Sequence, residues 1–116
     1  MSQADYDYLR MTGELPATNE TFISPTYSFS SDYDGITVEL ELRKGTTNSL
    51  LDIGVGNNVD QAIRDYGVLP QVSKGWTENN AFFKGEGTQT NFGLGKGKAL
   101  EIFNSNIINF KRTGGK

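Results

Sequence analysis

From Asn80 onward the chain is cut by glycine and asparagine at short intervals. Four apolar runs lie between the cuts: "NAFFK", "TNFGL", "ALEIF" and "IINFK", separated by "GEGT", "GKGK" and "NSN". Runs of this length bounded by turn formers read as strands, and such short connections make sequential neighbours antiparallel. The second half therefore predicts a compact antiparallel sheet. "RTGGK" after it reads as a mobile tail, so residues 111–116 are expected to stay outside the fold.

The first half has a different grain. In "SQADYDYLRMTG", Ser2 can cap a helix with Asp5 three residues on. Ala4, Tyr8 and Met11 follow helical spacing, and Gly13 supplies a left-handed stop. "TFIS" is a short strand that Pro25 interrupts. "GITVELELR" is the clearest strand, with Ile36, Val38, Leu40 and Leu42 alternating against Thr37, Glu39, Glu41 and Arg43. "TTNSLLDIGV" holds one helical turn or two. "NNVDQAIRDYG" predicts a helix capped by Asn58 and answered by Gln61, with Val59, Ala62, Ile63 and Tyr66 on one face. Helices early and strands late describe an α+β fold: one small domain over residues 1–116, its helices packed on a mostly antiparallel sheet.

Composition excludes several chemistries. There is no Cys and no His, so disulfides, thiolate metal sites, Cys nucleophiles and Ser-His-Asp triads are ruled out. An enzyme built from this chain works with Glu, Asp, Lys, Arg, Tyr, Ser or Thr, and no metal is expected. No apolar run is long enough to span a bilayer, so membrane insertion is not expected. The net charge of −3 is unevenly spread. Residues 1–73 carry four Lys/Arg against eleven Asp/Glu, a net −7; residues 74–116 carry seven against three, a net +4. A basic half can face an anionic partner, or the asymmetry can be plain solvated surface.

Three stretches can carry chemistry. "GEGTQTNFGLGKGK" has the glycines of a phosphate cradle, but its spacing fits neither a P-loop nor a dinucleotide fingerprint, and tight hairpin turns are the plainer reading. Within it, Glu86 stands between two glycines, where a carboxylate can accept a proton or face a developing cation; an exposed turn glutamate is the plainer reading. In "ISPTYSFSSDY", Pro25 biases Ser24 to an extended shape and holds the hydroxyls of Ser24 and Thr26 in place. Tyr27, Phe29 and Tyr33 then offer rings for a core or for stacking on a ligand, and Thr26 can serve as a helix cap. Trp76, with Lys74 and Lys84 to either side in sequence, is either a core indole or an RNA-facing ring.

Over nearly its whole length the chain resembles bacterial polymorphic-toxin C-terminal domains, the tips of Rhs-type or contact-dependent-inhibition effectors. The resemblance rests on "MSQADYDYLRMTGELP", "ETFISPTYSFSSDYDGITVELELRKGTT", "LLDIGV", "VSKGW", "AFFKGEGTQTNFGLGKGKALEIFN" and "NIINFK", in that order. Within that group it looks most like TreTu-type toxins, which resemble mono-ADP-ribosyltransferases and modify translation elongation factor Tu. The resemblance implies an ADP-ribosyltransferase-like fold, NAD as a substrate and Glu86 as the catalytic glutamate. It also implies Ser24 and Thr26 in the Ser-Thr-Ser position of the NAD pocket, with Tyr27 and Tyr33 beside the nicotinamide. Pro25 replaces the middle residue of that motif, and Lys84 stands where many members carry Gln or Glu. The first-strand arginine of the class has no counterpart ahead of the helix at Ser2, and Arg10 falls inside that helix. A cognate immunity protein, secretion on a larger effector and action in the target-cell cytoplasm are implied in the same way. Related tips that cleave tRNA, some of them with elongation factor Tu, supply the alternative of a ribonuclease. An immunity or adaptor domain would be a non-enzymatic reading suited to the acidic first half.

Overall fold

A serine and a glycine bracket the first helix in the computed structural model, which describes residues 1–17, 22–23, 35–70, 80–86 and 89–114. Helix α1 runs Gln3–Thr12. The Ser2 hydroxyl accepts the Asp5 N–H at 3.1 Å, and Gly13, at φ 74°, returns its N–H to the Leu9 carbonyl at 2.8 Å. The buried face is not the expected Ala4–Tyr8–Met11 stripe. Leu9 is fully buried, while Met11 is 86% exposed, because α1 meets the core through Leu9 alone.

Strands β1 (Phe22–Ile23) and β2 (Thr37–Leu42) follow. Helix α2 (Thr46–Leu51) is entered through Gly45 at φ 94° and buries Leu50. Strand β3 (Gly54–Gly56) leads to helix α3 (Asp60–Tyr66). Then come β4 (Ala81–Glu86), β5 (Gln89–Gly93), helix α4 (Lys98–Ser105) and β6 (Ile107–Gly114). The α+β class is as expected, but the strands divide into two sheets. One has the order β1-β5-β4-β3, antiparallel except for the parallel pair β3–β4; the other is the antiparallel ribbon β2–β6.

Three expectations are corrected. "ALEIF" lies in α4, not in a strand: Ala99, Leu100 and Phe103 are buried at i, i+1 and i+4, a helical face, and Lys, Ala, Leu and Glu are strong helix formers. Asn58 does not cap α3. It sits at φ 48° with its side chain on another segment, Val59 takes the cap position without a side-chain bond, and Gln61 bonds forward to Asp65. Residues 111–114 are not a tail. They complete β6, where Lys111 pairs with Glu39, Arg112 with Val38 and Gly114 with Thr37, so β2 gives their main chain a hydrogen-bonded place.

The core joins both halves of the chain. Leu9, Leu15, Leu50, Ala81, Phe83, Phe92, Leu94, Ala99, Leu100 and Phe103 form one buried cluster. Asn104 of α4 ties the first loop to it: its side chain accepts the Leu15 N–H at 2.8 Å and donates to the Leu15 carbonyl at 3.0 Å.

Candidate functional site

Strand β5 lies between β4 and β1, and all five of its residues are buried, although three of them, Gln89, Thr90 and Asn91, are polar. Antiparallel partners share a face of the sheet, and successive residues alternate between faces. Register therefore sorts the residues into two sets.

One set faces α3. Phe83 and Phe92 pack against Tyr66 at ring-centroid distances of 5.0 and 5.6 Å, and against each other at 5.1 Å. Thr90 belongs to this face and donates its hydroxyl to Asp65 at 2.7 Å. Gln61 donates to both Asp65 oxygens at 3.0 Å. These hydrogen bonds, from Gln61 first and Thr90 second, hold the Asp65 carboxyl below the usual range, while burial pushes the Tyr66 phenol up. This face anchors the helix to the sheet.

The opposite face carries Phe82 and then a row of polar residues. Lys84 stands across from Asn91, and Glu86, the last residue of β4, stands across from Gln89. The Gln89 amide donates to the Asn91 carbonyl oxygen at 2.7 Å within buried surroundings. Lys84 is half-buried. Amides and a lysine thus occupy ladder positions where a sheet interior ordinarily carries apolar side chains. Glu86 pairs with Gln89, so β4 and β5 are sequential antiparallel neighbours as expected, with Gly85 and Glu86 of "GEGT" inside β4. The row therefore brings amide donors and acceptors and a lysine together in one stretch of the sheet.

Glu86 thus has a defined place at the strand end, rather than in a detached loop. Ser24, Thr26, Tyr27 and Tyr33 lie outside the described residues, as do Lys74 and Trp76. Sequence reasoning missed Gln89 and Asn91. Their signal was present: "QTN" puts three polar residues in succession in a strand that shows no wet face. A separate open groove of about 490 Å³ lies between α2 and α4, lined by Ser49, Asp52, Lys98 and Glu101 among others, and contains none of the candidates. Among the described residues no three acidic side chains gather to hold a metal ion, and no helix is long and apolar enough to cross a membrane.

Fold and site together define a small α+β domain organised around a buried polar strand beside a strand-end glutamate. The family model of the PT3 toxin domain matches residues 1–112, and the chain belongs to that family. The resemblance to polymorphic toxins therefore holds at the level of a toxin domain. No curated protein matches the chain.

Proposed function

We propose that this toxin domain is an NAD-dependent mono-ADP-ribosyltransferase that halts translation by modifying elongation factor Tu. The observation that supports this reading is the direction of β1. Phe22 and Phe82 both pair with Gly93, and Ile23 and Phe83 both pair with Phe92. β1 and β4 therefore run the same way on the two sides of β5. β1 thus points, at Ile23, towards the end of the sheet where Glu86 stands. Two strand spacings, about 10 Å, separate β1 from β4, a span on the scale of a nicotinamide riboside.

In the proposed step the glycosidic bond of NAD breaks and nicotinamide leaves with the bonding electron pair. The Glu86 carboxylate stabilises the ribosyl cation left behind. A nucleophile of the target protein then closes on that carbon and releases its proton. Gln89, Asn91 and Lys84 occupy the ladder positions next to Glu86 and are the polar side chains nearest to it in register. Delivery on a larger secreted effector, action in the target-cell cytoplasm and neutralisation by an immunity protein complete the proposal.

The test is incubation of the domain with labelled NAD and a bacterial lysate. Label should appear on a protein of elongation factor Tu size, and Glu86→Gln should lower it about a hundredfold or more without changing the far-UV circular dichroism spectrum. Cleaved tRNA with no labelled macromolecule would instead make the domain a ribonuclease.

A further inference from the structure

Resting on the assignment of Glu86 as the reacting carboxylate, we infer that Asn57 is the residue that positions it, by holding the peptide immediately before it from the open side of the sheet. Strand β3 pairs with β4 only as far as Gly56 and Phe83. One step further, the Asn57 N–H still donates to the Phe83 carbonyl at 3.4 Å. In a regular parallel ladder the next main-chain bond would run from the Gly85 N–H to the carbonyl of residue 57. Here the side chain takes that place. Asn57 Oδ1 accepts the Gly85 N–H at 3.2 Å, and Asn57 Nδ2 donates to the Gly85 carbonyl at 3.4 Å.

The side chain thus acts as one extra strand residue, and the main chain is released to turn away. Asn58 makes that turn at φ 48°, and its own side chain grips Leu69, accepting the N–H at 3.2 Å and donating to the carbonyl at 2.7 Å. Two adjacent asparagines therefore clamp two different segments.

Gly85 is held on a further side. A Cβ there would lie 2.4 Å from Val59 Cγ2 and 3.1 Å from the Ala62 nitrogen, so the start of α3 presses on the bare backbone. Across the hairpin Gly85 faces Thr90, which is itself fixed to Asp65 of α3. Gly85 is thus bounded by Asn57, α3 and β5, and the Cα of Glu86 inherits that position. Of these restraints only Asn57 bonds both polar groups of the Gly85 residue from outside the hairpin. Displacement of a reacting group by about 1 Å can cost a hundredfold in rate.

The test compares Asn57→Ala with Asn104→Ala, which removes the same kind of reciprocal clamp at Leu15, remote in sequence from the β4–β5 hairpin. Rates are expressed per folded protein, at a temperature where every variant is folded. Asn57→Ala should cut kcat ten- to a hundredfold with the KM for NAD within about twofold, and should abolish hydrogen-exchange protection of the Gly85 amide. Asn104→Ala should leave kcat unchanged. In a Glu86→Gln background Asn57→Ala should lower the residual rate no further. Should Asn57→Ala fail to fold, Asn57→Asp keeps the acceptor for the Gly85 N–H and loses the donor, and should show a smaller loss of kcat of the same kind.

Wild-type kcat in Asn57→Ala, or an equal loss in the presence and absence of Glu86, overturns the inference. If the wild-type domain leaves NAD untouched, the transferase reading fails. The same variants scored by growth arrest on expression then decide the role of Asn57. Full growth arrest by Glu86→Gln removes Glu86 and, with it, the positioning role.

Discussion

β2 and β5 are both short strands, and they bury themselves in opposite ways. β2 lies in a two-stranded ribbon and keeps a wet face: Glu39 and Glu41 are exposed, while Val38, Leu40 and Leu42 are half-buried. β5 lies inside a four-stranded sheet and has no wet face, yet three of its five residues are polar. A half-exposed strand needs only alternation. A fully buried polar strand needs a partner for every polar group, since each one left unmet costs about 1–3 kcal/mol. Among the described residues no buried side-chain nitrogen or oxygen lacks such a partner. Apolar side chains would fill β5 with less demand on its neighbours, so its polarity makes the strand depend on the hydrogen bonds around it.

The sharpest way to break this contrast is a matched pair of truncations. Phe83→Ala should lower stability by about 3–5 kcal/mol, because the ring is fully buried against Tyr66 and Phe92. Leu40→Ala in the ribbon should cost roughly 1–2 kcal/mol, within the ordinary range for point substitutions. Urea denaturation measures both, and equal losses would mean that the ribbon is as much core as the sheet.

Next in size is Asn91→Leu, which removes one acceptor of the buried Gln89 amide. A loss of about 1–3 kcal/mol is expected from the same denaturation experiment. A neutral or stabilising result would mean that the polar row is dispensable for folding and would sharpen its assignment to binding.

A subtler effect is expected at Thr90→Val. The native Asp65 carboxyl is held below its ordinary pKa by Gln61 and Thr90. A depressed native pKa contributes stability above the unfolded value of about 3.9, and the contribution fades as pH falls through the native pKa. Removing the hydroxyl should move the Asp65 pKa upward in a carboxyl NMR titration. The stability gap between wild type and variant should be present at neutral pH and narrow below about pH 4. A gap that widens on acidification would contradict this link between helix and strand. Smallest of all, Ile108→Thr on the exposed side of the ribbon should stay within about 0.5 kcal/mol of wild type.

The same contrast explains what could be read in advance. α1 was legible at both ends, because Ser2 and Gly13 each have one dominant way to satisfy a helix terminus. β2 was legible from its alternation. Asn58 was not, because an asparagine amide that can cap a helix can equally imitate a peptide group, and tertiary contact with Leu69 decides between the two. "ALEIF" fits both periods over five residues, and only the buried trio Ala99, Leu100 and Phe103 separates them. The parallel pairing of β3 with β4 left no local trace, since three residues of "GVG" carry no pattern. At the candidate site, Glu86 was singled out by its flanking glycines and by the resemblance, and the sheet places it at the end of β4. The polar run "QTN" was visible in the sequence, but the burial of Gln89 and Asn91 is a property of the assembled sheet.

The ribbon also has a consequence for time. Its closing strands are distant along the chain: Thr113 donates its hydroxyl to the Thr37 carbonyl across a separation of 76 residues. β1 likewise waits for β5, and among the described strand pairs the β4–β5 hairpin alone forms from neighbouring residues. Long closures slow folding more than they weaken the folded state. Assembly is therefore expected to start at that hairpin and finish at the ribbon, so that a chain emerging from its N-terminal end first has β2 exposed and unpaired until nearly the last strand is free.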